Sequence, residues 1–297
     1  KIGGRRVESR TRRGVSAVLV ASLSAALCTA GMVHAAAGRV EQPGTFALLG
    51  GTPKVSAKFW VSHPDRLSGT LQVRQFATDG KPILDYDVDM ERTMHMIVIR
   101  DDFATFDHLH PDFDARTGTF WQDFTKEPNH RYYVYTDTTP HGLSQQVFRF
   151  TLDSTGPVSN GRRSFTPSER TASAGPYTVT LSKTTLPAER PKHLHLTVVE
   201  NDEPAQDLSP YLGAAAHVVF INTSTLAYVH LHPTLRRGSD ADTSMSSGMN
   251  MATPTEGKSG PFMSMAVPAL PAGTYKLWVQ FLGNGKLYTV PFTLLAR

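Results

Sequence analysis

The sequence predicts an all-β fold: two tandem immunoglobulin-like β-sandwich domains related by an internal repeat and preceded by a signal peptide. Three observations carry this. One stretch occurs twice, HMIVIRDDFATFDHLHP from His95 to Pro111 and HVVFINTSTLAYVHLHP from His217 to Pro233. Short segments of alternating apolar and polar residues recur between turn signals. Beyond the leader, no stretch carries a convincing 3.6-residue apolar period. Many short strands with regular turns argue for sandwiches, and the duplication argues for two of them.

The repeat extends beyond its core. At an offset of 122 residues, Pro82 matches Pro204, Asp85 matches Asp207 and His95 matches His217. At an offset of 142, Gly118 matches Gly260, Tyr133 matches Tyr275 and Phe150 matches Phe292. The second copy therefore holds 20 extra residues between Pro233 and Gly260, and the loop that takes them up, placed at 236–257, carries Met245, Met249 and Met251. The expected organisation is a signal peptide at 1–37, a lead-in at 38–52, a first sandwich at 53–152, a linker at 153–172 and a second sandwich at 173–297.

The leader explains the charge. Residues 1–39 hold seven basic residues against Glu8, a net of +6, while the whole chain is +4. The remainder carries about −2, so no basic patch recommends nucleic acid. An arginine-rich start, an apolar stretch from Val15 to about Leu27 and the small residues Ala35-Ala36-Ala37 read as an export signal. The expected location is periplasmic or secreted, with no membrane attachment after cleavage. The single cysteine, Cys28, falls inside this leader. The mature chain then has no disulfide, and a metal would be held by His, Met or carboxylate.

In chain order, KVSAKFWV (54–61) and TLQVRQFA (70–77) alternate as half-buried strands, the latter closed by the turn signal Asp79-Gly80. The repeat core supplies a hairpin with arms at about 94–100 and 105–110. HRYYVYTD (130–137) and QQVFRFTL (145–152) form a second hairpin around Pro140-His141-Gly142. Residues 153–172 are polar and aperiodic. The second copy offers strands at 177–183, 193–200, 217–222, 226–232, 261–267, 274–281 and 286–295. In this alignment His193 and His195 replace Leu71 and Val73.

Hairpin geometry gives the histidines a common face. If the first turn centres on Asp102-Phe103, Ile99 faces Phe106, Ile97 faces His108 and His95 faces His110. Cross-strand partners share a face, as do residues two apart. His95, His108 and His110 then form one patch, and His217, His230 and His232 form a second over Val219, Ile221 and Tyr228. Three neutral imidazoles suit copper or zinc, with a fourth position left for water, Met or carboxylate. Thioethers favour copper: Met94 adjoins His95, and Met245, Met249 and Met251 lie in a Ser- and Gly-rich loop. The competing reading is a set of structural histidines, since duplication copies core residues as faithfully as ligands. Against it, clustered imidazoles repel when protonated and compete for partners when neutral.

Several of these motifs resemble a family of secreted bacterial proteins described as YtkA-like or heavy-metal-binding-associated. They are Met94-His95 leading into FDHLHP, PYLGAAAHVVF (210–220), LAYVHLHP (226–233), and AGTYKLWVQF (272–281) with KLYTVPF (286–292). The resemblance spans roughly 55–297. It implies an extracytoplasmic β-sandwich linked to copper or another heavy metal, and no defined activity.

Three function classes follow. The first is an exported metal-binding protein, with copper as the ion and zinc as the alternative, acting in sequestration, delivery or tolerance. It would exchange its ion with another extracytoplasmic metal-handling protein. The second is a metal-free structural or adhesive pair of sandwiches. The third is a three-histidine metalloenzyme, against which stands the lack of a nucleophile elbow, a phosphate loop or an HExxH motif. The expectation is a binding protein rather than an enzyme.

Overall fold

The computed structural model describes residues 39–41, 54–158, 164–236 and 258–297. The expected signal peptide and the methionine-bearing stretch of the insert lie outside the described residues, as do Met245, Met249 and Met251 themselves. Among the described residues every regular element is a strand.

The first repeat supplies ten strands. They are β1 (Arg39–Glu41), β2 (Ser56–Val61), β3 (Ser68–Phe76), β4 (Tyr86–Asp87), β5 (Met94–Arg100), β6 (Phe106–Leu109), β7 (Asp112–Asp114), β8 (Thr119–Thr125), β9 (Arg131–Pro140) and β10 (Gln146–Asp153). One sheet runs β2-β3-β8-β7 and the other β1-β10-β9-β5-β6, with β4 beside β9. This is the immunoglobulin-like arrangement, in which consecutive strands switch between two packed sheets. Strand β1 falls within the expected lead-in and pairs with β10.

The second repeat supplies the same plan. Its strands are β11 (Thr171–Ala174), β12 (Tyr177–Leu181), β13 (Thr185–Leu186), β14 (Lys192–Glu200), β15 (Glu203–Pro204), β16 (Leu208–Ser209), β17 (His217–Asn222), β18 (Tyr228–Leu231), β19 (Thr234–Leu235), β20 (Phe262–Val267), β21 (Gly273–Gly283) and β22 (Lys286–Ala296). The sheets run β11-β12-β14-β20-β19 and β13-β22-β21-β17-β18. In both repeats a His-Pro pair, His110-Pro111 or His232-Pro233, stands where the chain leaves one sheet for the other. Proline has no N–H for the ladder, so the strand stops there.

Each sandwich has its own core. Met94, Met96 and Val98 of β5 pack with Phe148 and Phe150 against Phe59, Leu71, Val73 and Phe120. Val218 and Phe220 of β17 pack with Phe281 and Phe292 against Leu194, Leu196, Met263 and Met265. Period-2 alternation would leave the other faces of β5 and β17 in water, yet every residue of β17 and all but Arg100 of β5 are buried. A third core explains this. Ile97, Ile99, Phe103, Tyr135 and Val147 of the first sandwich pack against Val219, Ile221, Tyr228 and Trp278 of the second. The two sandwiches therefore meet through the sheets that contain β5 and β17.

The contact is reciprocal. Phe106 of β6 stacks on Trp278 of β21 with centroids 4.8 Å apart, and Tyr228 of β18 stacks on Tyr135 of β9 at 4.9 Å. Tyr135 faces Ile97 and Trp278 faces Val219, so they hold equivalent places in the two repeats. Such self-complementarity is that of a two-fold interface, here built within one chain. Tyr135 Oη also donates to the Leu226 carbonyl at 2.8 Å, and Arg149 donates to the carbonyls of Thr225 and Leu226.

The structure corrects the repeat alignment at two strands. On β14 it is Leu194 and Leu196 that are buried where Leu71 and Val73 are, so His193 and His195 lie on the outer face. On β21 the residue opposite Ile221 is Lys276, whereas Ile99 faces Tyr133, so Tyr133 corresponds to Lys276 and not to Tyr275. A slip of one residue exchanges the two faces of a strand. Strand β8 was absent from the sequence reading, because TFWQDFT buries only its first two residues and exposes Trp121 and Asp123.

The shared core generates a prediction. Replacing the buried Trp278 by alanine should cost about 3–5 kcal/mol, the usual range for a large buried aromatic. Hydrogen exchange should accelerate in β5 and β9 as well as in β21. Protection in β5 and β9 equal to that of the unaltered protein would contradict the shared core.

Candidate metal centre

The hairpin pairing is as the turn position implied: Ile97 faces His108 and Ile99 faces Phe106 in one repeat, and Val219 faces His230 in the other. These pairs put the histidines on the same sheet faces that the two sandwiches bury against each other. The six imidazoles form one cluster. His95 lies 5.2 Å from His230 and 5.8 Å from His217, centroid to centroid, and His108 lies 5.2 Å from both. The expectation of one separate patch per repeat is therefore corrected, because the faces carrying them are packed together. One ring nitrogen each from His95, His108, His217 and His230 lie within 4.8 Å of one another.

The hydrogen bonds fix what those nitrogens are. A neutral imidazole has one N–H and one bare nitrogen. His95 Nε2 is 3.0 Å from the Asp89 carbonyl, which can only accept, so Nε2 carries the hydrogen and Nδ1 is bare. His217 Nε2 donates in the same way to the Tyr211 carbonyl at 3.0 Å. His108 Nδ1 is 2.9 Å from Gln280 Oε1, while the Gln280 amide donates to Thr289 at 2.9 Å. His108 Nδ1 is then the donor and Nε2 is bare.

These assignments conflict in a way that points to a cation. His95 Nδ1 and His108 Nε2 lie 3.0 Å apart, and both are lone-pair acceptors. His217 Nδ1 and His230 Nε2 lie 3.2 Å apart in the other repeat, but there His230 Nδ1 is 3.8 Å from Asp137, too far for a hydrogen bond that would fix its tautomer, so His230 Nε2 can donate to His217 Nδ1. The two acceptors of the His95–His108 pair cannot bond each other, and leaving buried polar atoms unsatisfied costs about 1–3 kcal/mol each. A shared proton or a metal ion would relieve the His95–His108 contact, and burial opposes the proton. Desolvation, reinforced by the neighbouring imidazoles, holds His108 and His230 well below the ordinary histidine range. Desolvation also lowers His95, and brings His110 and His217 down to about 3 and His232 to about 4. These four buried histidines could hold a metal ion, and His95, His108 and His217 each present a bare nitrogen fixed by a hydrogen bond at its far side.

The outer partners cross between the sandwiches. His108 of the first is held by Gln280 of the second. His230 of the second turns its Nδ1 toward Asp137 of the first, at 3.8 Å. Asp137 faces His95 on β9, and Gln280 faces His217 on β21. Burial pushes the Asp137 carboxyl up to about 7, opposed by the Gln145 amide that bonds both its oxygens. The sequence reading missed Asp137 and Gln280. The signal available was a polar residue at or next to the end of the expected strands 130–137 and 274–281, and it becomes usable only once strand order is known.

His110 and His232 stand beside the four. His110 is 4.6 Å from His108 and 5.2 Å from His95, and His232 is 4.6 Å from His230 and 4.7 Å from His217, centroid to centroid. Met94 does not join them. It sits in the first sandwich's core, because adjacent residues on a strand point to opposite faces, and the expected role of Met94 as a ligand is corrected accordingly.

The site makes the metal-free protein acid-sensitive. Unfolded histidines titrate near 6.5, so below that pH the unfolded chain binds protons that the folded chain refuses. Stability should be full above pH 6.5 and fall as pH drops toward 3–4. Asp137, raised in the fold, has the opposite sign and offsets one proton between pH 4 and 7. The net effect near pH 5 should be the uptake of several protons on unfolding. Denaturant titrations of the metal-free protein across pH 4–8 measure it, and a slope of one proton or fewer would contradict a neutral, buried cluster.

Residues 171–297 match a family described as a domain of unknown function (DUF8832), a span that starts at the first residue of β11. No curated protein matches the chain. Among solved structures, the chain is similar to a Salmonella alpha-2-macroglobulin mutant at 13% identity and TM-score 0.23, over 83% of this chain. It is also similar to a two-domain fibronectin type-III segment of chicken tenascin at 10% identity and TM-score 0.21, over 80% of this chain and 97% of the segment. The chain spans only 15% of the alpha-2-macroglobulin.

Proposed function

We propose that this protein is an exported metal-binding protein whose ion is copper, acting in extracytoplasmic sequestration, delivery or tolerance. The observation that carries the reading is the convergence of four buried imidazole nitrogens, three of them left bare by hydrogen bonds at their far nitrogens. His95, His108, His217 and His230 would ligate, Gln280 and Asp137 would orient the two central rings, and Asp137 would supply a compensating negative charge once ionised.

Imidazole accepts both oxidation states of copper, and thioether is selective for the reduced one. Met245, Met249 and Met251 lie close in sequence and would serve capture of Cu(I) ahead of the buried site. The arginine-rich, apolar leader supports export, and the likeness of FDHLHP and LAYVHLHP to the YtkA-like proteins supports a metal-handling role with an extracytoplasmic partner. A second reading, zinc, is favoured by the number of imidazoles, since four protein ligands suit a closed structural zinc site.

The test is metal binding by single-histidine variants. Copper should raise the melting temperature, because an ion that binds only the folded state stabilises it by mass action. His108→Ala and His230→Ala should each reduce that gain, although they lie in different repeats. Zinc giving the larger shift would favour the second reading. No shift with either ion would sink metal binding and leave the structural account of the histidines.

A further inference from the structure

Four ligands do not use the whole cluster. His110 Nε2 and His232 Nε2 are buried and have no hydrogen-bond partner. Neither belongs to the set of four that converge. One four-coordinate ion would leave both orphaned, and a buried polar nitrogen without a partner is destabilising whether it is N–H or bare. Resting on the metal-binding reading, we propose that the cluster holds two cuprous ions side by side, one on His95, His108 and His110 and the other on His217, His230 and His232.

Two ions with three imidazoles each use all six rings. The grouping follows the distances. His110 is within 5.2 Å of both His95 and His108, and His232 is within 4.7 Å of both His217 and His230. The same-repeat nitrogen pairs at 3.0 and 3.2 Å match two ligands of one ion, since bonds of about 2.0–2.1 Å place neighbouring donors roughly 3 Å apart. The reciprocal interface makes the two positions equivalent. Charge selects the ion, because repulsion scales with the product of the charges. Two monovalent ions repel one quarter as strongly as two divalent ones, and Asp137 offers one carboxylate to offset them. Zinc would then load once and Cu(I) twice.

The experiment is titration of the full chain with Cu(I) under anaerobic conditions, in competition with bathocuproine disulfonate. The starting protein carries Met245→Leu, Met249→Leu and Met251→Leu, so that thioethers do not add to the count. Two equivalents of Cu(I) and one of zinc are expected. The double variant His110→Ala/His232→Ala should keep one Cu(I) and lose the other. His110→Gln/His232→Gln repeats the measurement with a larger side chain, and near-ultraviolet circular dichroism checks that either variant is folded. Saturation of the starting protein at one Cu(I) would overturn the two-ion proposal and leave the metal-binding reading intact. Two Cu(I) retained by a folded double variant would overturn it as well, and no binding by the starting protein would remove the reading on which it rests.

Discussion

The structure depends on histidine pairs that are buried nitrogen to nitrogen between the two sandwiches. In each repeat a histidine on the first arm of a hairpin meets a histidine on the second, nitrogen to nitrogen at 3.0 or 3.2 Å. Backbone carbonyls of Asp89 and Tyr211 claim the hydrogens of the first-arm rings, which leaves lone pairs pointing inward. In water such a contact would be relieved by protonation or by a solvent molecule. Here the facing sandwich removes the solvent and makes protonation costly. What remains is a buried cluster that could hold a metal ion.

Duplication explains how a chain comes to build this. One sandwich alone would expose the His95 face of β5, with Ile97 and Ile99 beside it. A second copy with the same pattern offers a matching face, and the two cover each other through Phe106 on Trp278 and Tyr228 on Tyr135. The same packing delivers Gln280 to His108 and brings Asp137 toward His230. Interface and site are therefore one construction: the apolar stacks fix the distance between the sheets, and that distance sets how closely the histidines approach. The copies have diverged where symmetry is not needed. A neutral amide stands behind one ring and a carboxylate behind the other, which gives the cluster one negative charge to offer.

Much of this was legible in the sequence, and the parts that were not have a common cause. The long strands follow from alternation, and the pairing of Ile97 with His108 follows from the position of the turn between them. The likeness of the two repeats led directly to all six histidines. What local pattern cannot report is which faces meet. The uninterrupted apolar run Ile97-Val98-Ile99 signals burial on both sides, but it does not name the covering partner. For that reason the histidines read as two patches rather than one cluster, and Asp137 and Gln280 passed unnoticed. Met94 shows the converse: proximity in sequence to His95 suggested a ligand, while the strand's own alternation turns it into the core.

The central claim is that both repeats contribute ligands to one centre. Crystals of the copper-loaded protein, with anomalous data collected on either side of the copper edge, test it directly. The account predicts anomalous density enclosed by the histidines of both repeats, within about 2.0–2.1 Å of His108 Nε2 and of His230 Nε2, whether one ion or two are present. Anomalous density confined to other residues, with those two nitrogens still facing their neighbours uncoordinated, would contradict it.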